Sequence, residues 1–252
     1  MTHNSTAKNY QAANNCLANR IIVVTGAGDG IGRTAALTFA NYGAEIILVG
    51  RTVAKLERVY DEIIAAGGLQ PAIYPLDLEG ATEDHYAEMA AKLFDEFGRI
   101  DGLLHNAGLL GQRTPIANYK LSTWQQVMQV NVTAAFAMTK ALLPLLEKSE
   151  DASVVFTSSG VGRSGRAYWG AYSVSKFATE GMAQVLAEEV EGVGNIKVNC
   201  INPGATRTAM RAGAYPAEDP GSLPEPEEIM PTYLYLMGAD SKGVSGQSLD
   251  AQ

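Results

Sequence analysis

The chain predicts an α/β fold: a doubly wound parallel sheet of about seven strands with helices on both faces. Three observations carry that prediction. Short apolar runs alternate with longer stretches of helical period. The apolar runs lack the in-and-out alternation of a half-exposed strand, as expected for strands covered on both faces. The first run also leads directly into a glycine-rich turn, TGAGDGIG at 25–32, with a helical pattern behind it.

The elements follow in order. MTHNSTAKNYQAANN is polar and has no apolar centre, so residues 1–16 read as a flexible tail without a secretory signal, and 17–252 as one domain. IIVVT (21–25) and EIILVG (45–50) are the first two strands, the glycine turn and its helix lying between them. Thr52 to Ala66 is a helix, PAIYPLD (71–77) a strand, Glu83 to Phe97 a helix and DGLLHNAG (101–108) a strand. Val132 to Leu146 is the longest apolar run, interrupted by Lys140 and Pro144, and falls short of a membrane span. SVVFTSS (153–159) and IKVNCINPG (196–204) complete the recognisable strands. Residues 205–231, rich in proline, glycine and acids, read as a long flap over a substrate.

Composition bounds the function. A chain of 252 residues, 46% of them hydrophobic, can bury one large core. The net charge of −8 argues against a surface built to neutralise nucleic acid or anionic lipid, so neither nucleic acid nor membrane is an expected partner. Two cysteines, Cys16 and Cys200, are too few for a disulfide framework, which fits a reducing cytoplasmic setting. No Cys/His cluster has metal-ligand spacing, so no metal is expected.

The glycine turn misses the strict G-x-G-x-x-G pattern in both frames, because Ile31 and Arg33 stand where the third glycine is required. The physical need is broader: glycines where the backbone turns tightly against a pyrophosphate, then a helix whose free N–H groups face the anion. Gly26, Gly30 and Gly32 meet it, although such a turn taken alone can also be ligand-free. After the second strand, LVGRT offers Gly50 in place of a ribose-binding carboxylate, and Arg51 supplies a guanidinium suited to a 2′-phosphate. NADP(H) is therefore expected over NAD(H), unless Arg51 is simply a solvated arginine at a helix start. Asp29, inside the turn, can either repel that phosphate or cap the helix.

The chemistry concentrates in 154–180. Tyr172 and Lys176 are four residues apart and share a helix face. Ser159 ends a strand on the edge where such sheets bind ligands. The spacing is weak by itself, so its surroundings must decide.

With those surroundings, the chain resembles the short-chain dehydrogenase/reductase superfamily, in its one-domain group of about 250 residues, and within it most closely the bacterial YciK-like oxidoreductases. The match runs from about Arg20 to the terminus: TGAGDGIG, LDL at 76–78, HNAG at 105–108, Asn131 in QVNVTAAF, the Ser158–Ser159 pair, YSVSK at 172–176 and NPGATRT at 202–208. The resemblance implies an NAD(P)-binding Rossmann-type catalytic domain that interconverts a carbonyl and an alcohol on a small molecule by hydride transfer. Its roles carry over to Tyr172 as general acid/base, Ser159 as the group orienting the carbonyl, Lys176 on the nicotinamide ribose, and Asn131 as anchor of a relay water. It assigns Gly26, Asp29, Gly30, Ile31 and Gly32 to the pyrophosphate turn, and Arg51 to the nucleotide phosphate. Asp77 and the Leu78 backbone go to adenine, and Asn106, Ala107 and Gly108 to the adjacent ribose. Pro203, Gly204, Thr206 and Thr208 go to the carboxamide and pyrophosphate. Asn106 can equally serve to hold its strand, and Asp77 can be an ordinary turn acid. His105 stands where the family more often has asparagine. The resemblance further implies a homodimer or homotetramer, with the helices around Asn131 and Tyr172 at one interface.

Rival readings fare worse. The histidines, His3, His85 and His105, all precede Ser159, which is the wrong order for an α/β-hydrolase triad. No P-loop motif occurs. A reductase of acyl-carrier thioesters would favour a basic entrance, which EDPGSLPEPEE (218–228) does not suggest. The alternative from another class is a non-catalytic NADP-binding redox sensor or interaction protein on the same fold. Met210, Tyr215, Leu223 and Tyr233 either line an apolar pocket or pack in the core, and Trp169 faces the pocket or a neighbouring subunit.

Overall fold

In the computed structural model, residues 3–192 and 194–252 are described. Seven parallel strands form one sheet: β1 (Ile21–Thr25), β2 (Glu45–Gly50), β3 (Ala72–Pro75), β4 (Gly102–His105), β5 (Ala152–Thr157), β6 (Ile196–Asn202) and β7 (Ser248–Asp250). Their spatial order is β3-β2-β1-β4-β5-β6-β7. The chain thus winds outward from β1 in one direction, then returns to start β4 on its other side. That reversal between β1 and β4 opens a crevice at the carboxyl ends of the strands.

The burial pattern explains why the strand sequences lack alternation. Ile22 and Val24 of β1 point into a core shared with helices α2 (Gly30–Asn41) and α9 (Met230–Met237), while Ile21 and Val23 point into a second core on the opposite face. That second face is covered by α4 (Glu83–Phe97), α6 (Ala134–Leu146) and α7 (Gly170–Val190). Because both faces are dry, every residue of β1 has to be apolar or internally bonded.

Most elements lie where expected; α4 and the first two strands coincide with the predicted bounds, and α3 (Val53–Ala65) is one residue shorter at each end. Two regions differ. Residues 3–16 do not stand off as a tail: α1 (His3–Lys8) buries Ala7 completely and packs against α9 and β7, and Tyr10 donates to Asp240 Oδ2 at 2.8 Å. The polar stretch was read as free because its few apolar contacts come from residues more than 200 positions away. Residues 1 and 2 lie outside the described residues. The second difference is in length. α5 (Leu121–Met128), a π-turn over Gln129–Thr133 and α6 form one continuous helical stretch, Leu121–Leu146, long and apolar enough by length and composition to cross a membrane. Its Val127, Ala134, Met138, Leu142 and Leu146 are buried, which is also how the core helix of a sheet protein looks.

Candidate active site

A cleft of about 580 Å³ opens at the carboxyl ends of β1, β4 and β5. Its nucleotide end is built from backbone. Gly26 takes φ +67°, and a Cβ on Gly32 would stand 2.3 Å from the Gly26 carbonyl oxygen, so no side chain fits where the turn meets its helix. Asp29 settles into the capping role: its carboxylate accepts from Gly30 N–H at 2.8 Å at the start of α2 and pairs with Lys55 of α3. That cation and the N–H bond hold the Asp29 carboxyl below the usual range, with Lys55 the larger cause. Arg51, exposed at the end of β2, lines the same end of the cleft, as do Ile31 and Lys55. Lys55 was not found from sequence, since only the fold of α3 over the turn brings it to Asp29.

Across the cleft, Thr25 Oγ1 donates to the Leu104 carbonyl at 3.2 Å and accepts from Asn106 and Ala107 N–H at 3.0 and 3.1 Å. The mouth of β1 is thereby tied to that of β4. Asn106 extends the tie through its side chain to the Thr25 carbonyl and to Thr157 Oγ1, each at 3.4 Å, while still lining the cleft. Asp77 accepts from Glu79 N–H at 3.2 Å as a turn acid and lines the cleft beside Leu78. Gly108, Pro203, Gly204, Thr206 and Thr208 line it as well. Thr208 caps α8 (Ala209–Ala214) by accepting from Arg211 N–H at 3.1 Å.

The chemical end is built from buried side chains. Tyr172 and Lys176 sit one turn apart on α7, and Lys176 Nζ lies 5.6 Å from the Tyr172 ring centre. Lys176 Nζ donates to the Thr157 carbonyl at 2.7 Å. Burial pulls its pKa down to about 8, against smaller raising effects of Cys200 and Glu180. Burial raises the Tyr172 phenol above its ordinary value, and hydrogen bonding to Ser159 offsets part of the rise. Ser159 follows β5 and caps a short turn, its Oγ accepting from Val161 N–H at 3.4 Å. Ser158 Oγ is buried in the cleft wall with no protein partner among the described residues.

Asn131 does not line the main cleft. It sits behind it in the π-turn, its Oδ1 accepting from Leu109 N–H at 2.7 Å and its Nδ2 donating to the Leu109 carbonyl at 3.0 Å and Ser175 Oγ at 2.9 Å. The side chain pins the loop after β4 to α7. Asn131, Lys176 and His105 also border a separate cavity of about 10 Å³, room for a single water. His105 stacks on Phe156 at 4.7 Å and bonds Thr139 Oγ1 at 2.8 Å; burial, and then Lys176, drive its pKa down to about 3.

The open alternatives resolve separately. Met210 and Trp169 line the cleft, Trp169 with its ring 5.6 Å from that of Tyr172. Tyr215 packs beside Trp169 at 5.9 Å. Tyr233 is core, fully buried with its hydroxyl 3.3 Å from Thr157 Oγ1. Leu223 contributes a carbonyl to Arg207 and lies away from the cleft lining. No group of three or more His, Cys, Asp or Glu side chains among the described residues can hold a metal ion.

Comparison with known proteins gives a consistent result. The short chain dehydrogenase family profile matches residues 20–219. The Escherichia coli K12 protein YciK, an uncharacterised oxidoreductase, is 55% identical over 243 residues, covering 96% of each chain. A Pseudomonas syringae structure described as a short chain dehydrogenase has a TM-score of 0.95 at 58% identity over 97% of this chain and 99% of its own. One from Shigella flexneri 2a, solved in complex with NADP, has a TM-score of 0.93 at 54% identity over 95% and 100%.

Proposed function

The chain belongs to the short-chain dehydrogenase family, and from that premise we propose that it is an NADP(H)-dependent oxidoreductase interconverting a carbonyl and an alcohol on a small molecule. The observation that carries this reading is the buried Tyr172–Lys176 pair facing a cleft whose other end is a side-chain-free glycine turn at the start of α2.

The residues present fit the cofactor. The excluded Cβ at Gly32 leaves the backbone N–H groups of α2 open to a pyrophosphate, Arg51 supplies a cation for a 2′-phosphate, and the orphaned Ser158 hydroxyl offers a partner inside the cleft. The complex of the Shigella flexneri relative with NADP supports the same choice. When bound, the nicotinamide supplies or accepts the hydride.

The protein's task is the proton. Burial keeps the Tyr172 phenol protonated at neutral pH, the form that donates to a carbonyl oxygen during reduction. Lys176, at about 8, still carries its charge at pH 7 and stabilises the phenolate left behind. Ser159, which lines the cleft with Tyr172, orients the same oxygen. Asn131 holds the Leu109 loop and α7 in register, and the small cavity that it borders with Lys176 has room for one relay water. Of the flap, Thr206, Met210, Arg211 and Ala214 line the cleft, whereas Ile229 and Met230 at its end are buried in the core.

The active form is a homodimer or homotetramer. Phe136 of α6 and Val174, Phe177 and Val185 of α7 are 41–58% exposed on the helices that carry the site, an apolar surface a second copy would bury. A reducing cytoplasmic setting accords with free Cys16 and Cys200.

Side-by-side titration with NADPH and NADH, followed by an NADPH-oxidation screen over aldehydes, ketones, diketones and quinones, tests the reading. Preferential NADPH binding with turnover of a carbonyl is expected. Tight binding without turnover across the panel would favour the redox-sensor alternative.

A further inference from the structure

The apolar wall around Tyr172 runs outward through Val161, Trp169 and Ala214 to Tyr215. In the notch between Trp169 and Tyr215 lies Arg113, from the loop after β4, its guanidinium carbon 4.7 and 4.6 Å from the two ring centres. Arg211 stacks on Tyr215 at 3.9 Å, so two guanidinium groups flank one ring.

The two cations are not equivalent. Arg211 is neutralised by Glu218 through two hydrogen bonds of 2.6 Å. Arg207 is likewise paired with Glu225, so two acids of the flap are spent within the flap. Arg113 pairs with no carboxylate among the described residues; one N–H goes to the Ala214 carbonyl, and the exposed side chain sits just outside the cleft lining, against its Trp169 and Ala214. The rings fix the guanidinium in place, which leaves a planar fork of donors suited to a carboxylate. Separations of 4.7 Å from Arg113 to Trp169 and 5.6 Å from Trp169 to Tyr172 put that fork within about 10 Å of the catalytic ring. The intervening wall is apolar.

We propose that the substrate is an oxo acid: a carbonyl compound carrying, across an apolar spacer of several carbons, a carboxylate bound by Arg113. This rests on the oxidoreductase reading and extends it to a substrate class. Arg207 and Arg211 compensate Glu225 and Glu218, which takes two of the five acids of 218–228 out of opposition to an anion.

The test measures NADPH oxidation with linear ω-oxo acids of five, seven and nine carbons, each beside its methyl ester, in the wild-type protein and in Arg113→Gln and Glu218→Gln. Glutamine keeps a donor for the Ala214 carbonyl while removing the charge. In the wild type, kcat/KM should favour at least one acid over its ester by on the order of tenfold or more, the usual weight of a charge-assisted hydrogen bond. Arg113→Gln should abolish the preference through KM, with kcat for the acid changing much less. Glu218→Gln, which frees Arg211, should strengthen it. Equal rates for acid and ester at all three lengths in the wild type would overturn the proposal while leaving the oxidoreductase reading intact. A preference that survives Arg113→Gln would overturn it too. Absence of turnover with every aldehyde, acid or ester, despite NADPH binding, would overturn the underlying reading as well.

Discussion

The two ends of the cleft hold their groups by opposite means. At the nucleotide end, the contacts come from backbone N–H groups, a glycine turn and exposed cations on Arg51 and Lys55. At the chemical end, they come from ionisable side chains driven into the interior: Tyr172, Lys176 and, behind them, His105. The difference teaches where each function is stored. Binding an anion needs space and N–H groups, which a bare turn supplies without perturbing any side chain. Moving a proton needs groups whose charge states are set by their surroundings, and burial is the largest influence on Tyr172 and Lys176.

Removing the proton donor should break the comparison most severely. Tyr172→Phe should lower kcat by roughly 10²–10⁴-fold while the NADPH Kd, read by fluorescence titration, moves little. A parallel collapse of NADPH binding would mean that the two ends are not separable.

Filling the bare turn attacks the other end. Gly32→Ala puts a methyl against the Gly26 carbonyl, and the strain of about 1–3 kcal/mol should appear as lower stability to urea together with NADPH affinity weakened tenfold or more. Wild-type affinity in this variant would show that the turn can open at no cost to the nucleotide.

Arg51→Ala sharpens the claim about cofactor choice. NADPH affinity should fall by on the order of tenfold to a hundredfold and NADH affinity by far less, since only NADPH carries the 2′-phosphate. Equal losses would assign Arg51 to the scaffold.

His105 carries a further expected effect, read in acid stability rather than in binding or turnover. Its folded pKa of about 3 lies below its ordinary 6.5, so between these values the unfolded chain binds a proton that the folded chain refuses. Stability therefore falls as pH drops from about 6.5 to 3, by up to about 1.4 kcal/mol per pH unit for this one group. His105→Asn should flatten the acid limb of a stability-versus-pH curve by about that slope, whatever constant cost it adds. Parallel limbs would mean that His105 protonates in place.

Much of this was legible before the fold was known. Gly26, Gly30 and Gly32 stand where a strand must turn into a helix, and the spacing of Tyr172 and Lys176 puts them on one face of any helix they share. Asp29 was ambiguous because its partner, Lys55, lies on a different helix. Asn131 was legible as a site residue, and its partners Leu109 and Ser175, on other elements, were not. Residues 3–16 were misread as free since their cover, α9 and β7, is supplied by the other end of the chain.

By itself, the sequence determined what local rules can write: the order of strands and helices, the anion-binding turn and the tyrosine–lysine pair, because period and spacing act over a few residues. The tertiary structure alone decided which charges are spent and which are left to act. Lys55 is committed to Asp29, Arg211 to Glu218 and Arg207 to Glu225, whereas Arg113 stacks on Trp169 and Tyr215 with no carboxylate partner among the described residues. The physical reason is distance: Coulombic and hydrogen-bonding partners are fixed by separation in space, and here they come from elements that only folding of the sheet brings together.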